Sequence, residues 1–545
     1  MTPALLHLLG QASRARPALQ FAIAARDPRK AQEAWLADFV RRNADTEYGR
    51  RFGLGEAGTP AKLVERLPMM SAADLDPYVE RSMAGERNLL TAEAPVYYVR
   101  TTGSTGNAKH VPITPAYRAE FQRTIHVAFW HLYLRFPRAF LGRALYFVGS
   151  RKVARAADGN DVGTISGFNF TELPEIVRAI YAWPYELFEV PDLRARSFLA
   201  LLLACAGDVS LVGGIFPAPL VYLLRDLEAR AEELSRCFRD GALPAWLTLP
   251  EDRKRHFRIG KRLDLAARLE RAARAPIEEK VLHALPGLRL VYCWISATAS
   301  IYLPELTRRL GPRVAVRDAI YSACEGWCSI PIGDPEPGGA LAVTSHFFEF
   351  IEEKHLASQK PATRFGWELE DGKRYSIVMT TGAGLCRYRI GDIVEVCGWH
   401  ARTPRIRFVR KEAAASNLAG EKLDESHVNR AVGAALRTTG LDATFFTLTP
   451  RLGGARPGYE LLVEPAHGEV PAQLAALVDA GLGEASFDYG RLRGGGQLAP
   501  VVVRALAPGT YDKVRQGKVQ DGSAEAQLKT AHLTSDPNAL PPLLR

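Results

Sequence analysis

"YYVRTTGSTGNAKHVPIT", Tyr97 to Thr114, sets hydroxyls and glycines around a single lysine directly after a short β-like run. Glycines admit close backbone approach, hydroxyls donate hydrogen bonds, and Lys109 supplies positive charge, so the loop has the ingredients to hold a phosphate chain. A helix-opening phosphate loop would read GxxxxGK[ST] after a strand. The order here is Gly103-Ser104-Thr105-Gly106-Asn107-Ala108-Lys109 with no hydroxyl after the lysine, so that motif does not apply. By composition alone the stretch reads equally as a polar hairpin turn and as an anion cradle.

Outward from this loop, helix-like and strand-like texture alternate. "AQEAWLADFVRRNA" places Trp35, Leu36, Phe39 and Val40 on one helical face, and residues 195–240 read as helices rich in Leu, Ala and Arg. Strand-like runs follow at 96–99, 288–296, 346–353, 375–381 and 392–399. Strands mixed with helices over this length predict a large α/β body. After "PRIRFVRKEAAASNLAGEK" the texture changes to a small α+β unit, with a helix expected over Asp424–Arg437 and strands in "ATFFTLTPR", "YELLVEPA" and "APVVVRAL". The expected division is 1–409 and 410–545.

The 545 residues, 47% apolar and 24% charged, describe a globular protein of more than one domain. The longest apolar run, Phe198 to Ala206, is far too short to span a membrane, and no basic region precedes the apolar N-terminal patch as a signal peptide would require. Seven scattered cysteines without a CxxC pair argue against a disulfide framework or structural zinc and for a reducing cytoplasm. The net charge of +10 is spread over the chain. Its one dense basic run, Arg253 to Arg262, lacks aromatic interleaving and reads as a solvated face before it reads as a nucleic-acid site.

Downstream companions decide what the loop is for. "YSACEG" puts Glu325 after a tight polar turn, "RYRIGD" puts Asp392 after a strand-like run, and "SNLAGEKLDE" offers Lys422 in a Gly-bearing loop of the small domain. Each alone is a common surface feature. The order TTGSTGxxK, YSACEG, RYRIGD, FVRK, NLAGEKLDE resembles the acyl-adenylate-forming ligase superfamily. Within it the chain is most similar to the Gretchen-Hagen family of acyl acid amido synthetases. "FVRRNADTEYGRRFG", "PYVERSMAGERNLLT", "FFEFIEE" and "GSAEAQLKTAHL" extend the likeness over nearly the whole sequence.

The resemblance implies a large N-terminal adenylation domain with a small mobile C-terminal domain, and ATP and Mg²⁺ as cofactors. It also implies two half-reactions that join a carboxylic acid to an amine, most often that of an amino acid. Thr101, Thr102, Gly103, Ser104, Thr105 and Gly106 would wrap the phosphates and Lys109 would close the loop. Glu325 would hold Mg²⁺. Tyr321 would flank the adenine, with Ser322 and Ala323 in the same nucleotide-binding turn, and Asp392 would accept from the ribose hydroxyls. Arg410 would add a second ribose or phosphate contact, and Lys422 would meet the α-phosphate during adenylation. Trp294 and Ser296 would face the acyl group.

Three departures stand out: Cys324 where Ser or Thr is usual, alanines in "WISATAS" where glycine is usual, and "AHL" (531–533) where Pro-Arg is usual. His110 and His346 invite general-base roles, but packed or hydrogen-bonded histidines are the expected reading of both. Two other functions compete: an acyl-CoA synthetase sharing the first half-reaction, and a basic nucleic-acid-binding or scaffold protein without catalysis. Neither a stable nucleic-acid partner nor a membrane partner is expected, and the sequence carries no signal for oligomeric state.

Overall fold

The structure, a computed structural model, describes residues 2–100, 109–214, 216–249, 251–333, 336–356, 358, 360–412, 415–416, 418–419, 421, 423–451, 456–494, 498–520 and 531–534. Two compact units divide the chain. The larger comprises Met1–Ile295, Tyr302–Ile390 and Glu395–Arg407; the smaller comprises Ser296–Ile301, Gly391–Val394 and Phe408–Arg545.

Within the large unit and among the described residues, a parallel sheet runs in the order Arg143–Tyr146, Val209–Gly213, Leu290–Tyr292, Ala315–Arg317. Its second strand corrects the all-helical reading of 195–240: helices Leu193–Ala206 and Ala218–Asp240 flank "VSLVG", whose five residues are all buried. A parallel strand covered on both faces shows no polar alternation, so it merges with apolar helices on either side. The strand expected over 288–296 shrinks to Leu290–Tyr292, an interior strand of this sheet, and the chain leaves it at its carboxyl end for the Trp294 loop. A second sheet has eight strands, with Phe347–Glu352, Arg374–Thr380 and Tyr388–His400 adjacent in its order. The runs expected near 346–353, 375–381 and 392–399 thus form strands, the last extended back to Tyr388.

Helices pack on these sheets through local signals in the sequence. Thr114 caps the helix Pro115–Arg135: its hydroxyl accepts from the Tyr117 amide at 3.1 Å, and Pro115 fills the first turn, where no amide is needed. The helix Pro28–Asn43 buries Leu36, Phe39 and Val40 as its periodicity requires. From its inner face the Gln32 amide donates to the carbonyls of Val343 (2.8 Å) and His346 (2.5 Å), and its oxygen accepts from the Phe348 amide (2.9 Å).

A buried ion pair ties residues 64–70 to the strand Tyr388–His400. Arg387 chelates Glu349 at 2.9 and 2.8 Å, donates to the carbonyls of Val64 (3.1 Å) and Leu67 (2.5 Å), and is left-handed at φ 48°. Thr363 donates to the same carboxylate at 2.7 Å. On either side of this residue the Met70 amide donates to the Arg387 carbonyl and the Arg389 amide to the Met70 carbonyl.

In the small unit the helix Glu425–Thr439 packs with Leu474–Ala485 over strands Ala443–Arg451, Gly458–Pro465 and Val502–Ala505, around a core that includes Val428, Leu448, Tyr459, Leu461 and Val478. Asp424 caps the first helix by accepting from the Ser426 and His427 amides. The "AHL" departure has a structural role. His532 is buried, stacks on Phe446 with ring centroids 4.1 Å apart and bonds the Phe446 carbonyl through Nδ1 at 2.8 Å, while Leu533 bridges to Leu448. Among the described residues no helix is long and apolar enough to cross a membrane.

Candidate active site

In an open parallel sheet, ligands bind beyond the carboxyl ends of the strands. Trp294 and the segment Asp318–Tyr321 lie just past two such ends in the large unit. Trp294 is half-buried and its indole donates to the Ile320 carbonyl at 2.8 Å, which fixes its plane. Asp318 stitches the same region: its carboxylate accepts from the amides of Ile295 (3.3 Å), Ala319 (3.0 Å) and Gly338 (2.8 Å). Burial pushes its pKa up to about 6 despite those three bonds. Sequence reading missed Asp318, since an aspartate after a strand has no distinguishing local signal.

Glu325 sits half-buried in a tight hairpin between Tyr321–Ser322 and Trp327–Ile330, with the Ala323 amide donating to the Gly326 carbonyl at 2.9 Å. Tyr321, Ser322 and Ala323 are half-exposed on the approach to it. Gly326 is required by close packing: a Cβ there would lie 2.4 Å from Met379 Sδ. The hairpin is held from below. Tyr117 donates its phenolic hydrogen to the Cys324 carbonyl at 2.7 Å, and His346 Nε2 accepts from the Trp327 amide at 2.9 Å. Burial first, then neighbouring Cys324 and Glu325, raise the Tyr117 pKa well above its ordinary value, so it remains a donor. The backbone at Cys324 is therefore held whether or not its side chain carries a hydroxyl.

Thr101, Thr102, Gly103, Ser104, Thr105 and Gly106 lie outside the described residues, as does Lys422. Lys109 enters the strand His110–Ile113, which pairs antiparallel with Tyr97–Arg100. Burial raises the Asp76 carboxyl, and Lys109 partly offsets that rise. His110 is half-buried, and burial followed by Arg100 lowers its pKa. His346 is fully buried with both ring nitrogens engaged, Nδ1 to Glu120 Oε2 at 3.0 Å and Nε2 to Trp327, so neither nitrogen is free to take a substrate proton.

In the small unit, Asp392 is buried within the strand Tyr388–His400 rather than beyond it, and pairs with Lys411. The Glu412 amide donates to the Gly391 carbonyl at 2.8 Å, which brings the two segments together. Arg410 pairs with the capping carboxylate of Asp424 at 3.0 Å. Ser296 precedes Ala297, which is left-handed at φ 50°. Glycine is the usual residue for that conformation, and an alanine there carries strain of roughly 1–2 kcal/mol. Next to Lys422 in sequence, the buried carboxylate of Glu421 accepts from the amides of Leu418 (2.6 Å) and Ala419 (2.7 Å) and from the Tyr459 hydroxyl.

Among the described residues no group of three His, Cys, Asp or Glu side chains is arranged to hold a metal ion. A lone carboxylate such as Glu325 suits Mg²⁺ that arrives shared with substrate phosphates and water, and does not suit a resident all-protein cage.

A large α/β unit with its candidate groups on strand-end turns, and a smaller α+β unit beside it in the chain, is the architecture of the adenylate-forming ligases. The crystal structure of 2-hydroxyisobutyryl-CoA ligase with 2-HIB-AMP shares it at a TM-score of 0.54 and 14% identity, over 93% of this chain and 89% of that one. The GH3.15 acyl acid amido synthetase matches at a TM-score of 0.85 and 20% identity, over 96% of this chain and 94% of that one. Models of the GH3 family N-terminal, central and C-terminal domains match residues 19–315, 339–411 and 426–538, and the chain belongs to the GH3 family. Indole-3-acetic acid-amido synthetase GH3.8 of Oryza sativa subsp. indica is 26% identical over 543 residues, covering 93% of this chain and 88% of the relative.

Proposed function

We infer that this protein is an ATP-dependent, AMP-forming ligase that activates a carboxylic acid as an acyl-adenylate and passes the acyl group to an amine, that of an amino acid. The observation that carries this reading is the match to the GH3 N-terminal, central and C-terminal domain models over residues 19–315, 339–411 and 426–538. A carboxylate is a poor acyl donor because oxide would have to leave. Attack of its oxygen on the α-phosphorus of ATP expels pyrophosphate and gives a mixed anhydride. The amine then attacks the acyl carbon and AMP leaves.

This chemistry needs charge compensation and alignment more than covalent catalysis. Residues Thr101–Gly106 and Lys109 hold the phosphates. Glu325 holds Mg²⁺, which would neutralise charge on the phosphate oxygens. Tyr321, Ser322 and Ala323 border the adenine, and Trp294 and Ser296 border the acyl group. Asp392 accepts from the ribose, each such bond to a charged acceptor contributing about 1.5–3 kcal/mol, and shares its carboxylate with Lys411. Arg410, paired with Asp424, contributes through the small domain, 410–545, which rotates against the adenylation domain, 1–409, between half-reactions. Lys422 compensates charge at the α-phosphate in the first half-reaction. The cytoplasm is the compartment that suits its seven free cysteines.

The fold shared with a CoA ligase supports thioester formation as the second reading. The basic run offers little to nucleic acid: Arg253 pairs with Glu189 at 2.9 Å and Arg262 with Asp264 at 2.8 Å. Carboxylate-dependent ATP–pyrophosphate exchange across a panel of acids tests the ligase reading, and its absence for every acid would sink it. Amines or CoA added to preformed acyl-AMP, with products identified by mass, separate amide from thioester.

A further inference from the structure

The hairpin that carries Glu325 is too small to fix its own carboxylate. Its first strand, Tyr321–Ser322, is two residues long and is the edge of the eight-stranded sheet, so sheet pairing reaches the Glu325 turn from the Trp327–Ile330 side alone. What steadies the turn comes from the first two turns of the helix Pro115–Arg135 and from His346, just before the strand Phe347–Glu352. Tyr117 holds the carbonyl one residue before Glu325, at 2.7 Å. His346 holds the amide two residues after it, at 2.9 Å. Because an amide can only donate, Nε2 of His346 carries no proton, and the ring's hydrogen sits on Nδ1, facing Glu120 Oε2 at 3.0 Å.

The same Glu120 oxygen accepts from the Gly382 amide at 2.9 Å, while Thr114 donates to the Gly382 carbonyl at 2.6 Å. Gly382 has no room for a side chain, since a Cβ would lie 2.7 Å from Glu120 Oε1 and 2.8 Å from the Tyr117 nitrogen. Tyr117 stacks on the His346 ring with centroids 5.7 Å apart, and Gln32 holds the His346 carbonyl. Glu120, Tyr117 and His346 are each at most 1% exposed. A buried carboxylate and imidazole add little to stability over an apolar pair of equal volume, while they do fix geometry.

We propose that Glu120 and His346, with Tyr117, are positioning residues that aim the Glu325 hairpin at the metal-bound phosphates of ATP in the adenylation step. The proposal rests on the ligase reading above. None of the three touches the reacting atoms. They act through the backbone on either side of Glu325, so their loss should weaken adenylation and leave acyl transfer intact.

The test uses the full chain with four variants: Glu120→Ala, Glu120→Gln, His346→Phe and Tyr117→Phe. Both bonds at Glu120 converge on one oxygen, so the glutamine amide oxygen can accept both and should rescue. His346→Phe and Glu120→Ala are expected to lower the kcat of ATP–pyrophosphate exchange roughly 10²-fold, the scale of an ångström-sized misplacement, with a much smaller change in KM for ATP. Tyr117→Phe, the mildest change, should lose about tenfold, and Glu120→Gln should stay within about fivefold of wild type. Transfer from supplied acyl-AMP should match wild type in all four, which also reports that they are folded. Calorimetry supplies a readout apart from turnover: the gain in ATP affinity on adding Mg²⁺ should shrink in His346→Phe and persist in Glu120→Gln.

Variants that exchange at the wild-type rate with an unchanged response to Mg²⁺ would overturn the positioning role while leaving the ligase reading in place. Equal losses in both half-reactions would overturn it too, by showing a merely structural part. Should the two larger variants fail to fold, wild-type exchange by Tyr117→Phe overturns the proposal. Absence of exchange by the wild type with every acid removes the ligase reading, and this inference with it.

Discussion

Arg387→Ala should be among the most damaging single changes in the large unit. The side chain is 5% exposed and its partner Glu349 is 1% exposed. Truncation leaves the carboxylate buried with the Thr363 hydroxyl still bonded to it, and breaking a buried pair from one side costs about 3–5 kcal/mol. The carbonyls of Val64 and Leu67 lose a charged donor as well, so the upper half of that range is expected. Replacing both partners, as Arg387→Met with Glu349→Met, removes the stranded charge and should cost several kcal/mol less than the single change. All eight tryptophans precede residue 400, so tryptophan fluorescence during urea unfolding follows the large unit. A single variant within about 1 kcal/mol of wild type, or a double variant worse than the single, would refute the reasoning.

Two further outcomes concern the small unit. Burial holds the His532 pKa at about 4 against an ordinary 6.5. The unfolded chain therefore takes up the proton first as pH falls: this contribution is complete above pH 6.5 and is lost on the way down to about 4. At pH 5 the loss is ~2 kcal/mol, to be read from hydrogen exchange in Ala443–Arg451 after correction for intrinsic rates, and His532→Phe should abolish that dependence. Glu421→Ala, which strands the amides of Leu418 and Ala419, should lower small-unit stability by about 2–3 kcal/mol in the same measurement, with Glu421→Gln losing less.

Much of the architecture is written in local pattern. The amphipathic helix around Leu36 and Phe39, the Glu325 turn and the helix after Asp424 each carry a periodicity or a cap that short-range physics can read. Val209–Gly213 was hidden because a strand covered on both faces looks like the apolar helices beside it. The Glu120–His346 pair was hidden for a different reason. Its partners are separated by 226 positions, and nothing near either residue marks it as buried and bonded. His346 reads from sequence as a candidate base or a packed histidine, and only the Trp327 amide, which occupies Nε2, decides between them. The strain at Ala297 is likewise visible only through its backbone angle, although the alanine-rich "WISATAS" pointed to the place.

Gln32 has a consequence for how this chain comes off the ribosome. The glutamine satisfies backbone groups 311 to 316 positions further on, so the inner seat of its helix does not exist when the helix is made. At usual translation speeds the gap lasts ~15–60 s. Throughout that interval the helix has neighbours such as Pro3–Ala24 and Leu54–Glu56 but lacks the strand Phe347–Glu352, which makes this early segment a natural holding point for chaperones and a sensitive place for mutations that slow synthesis.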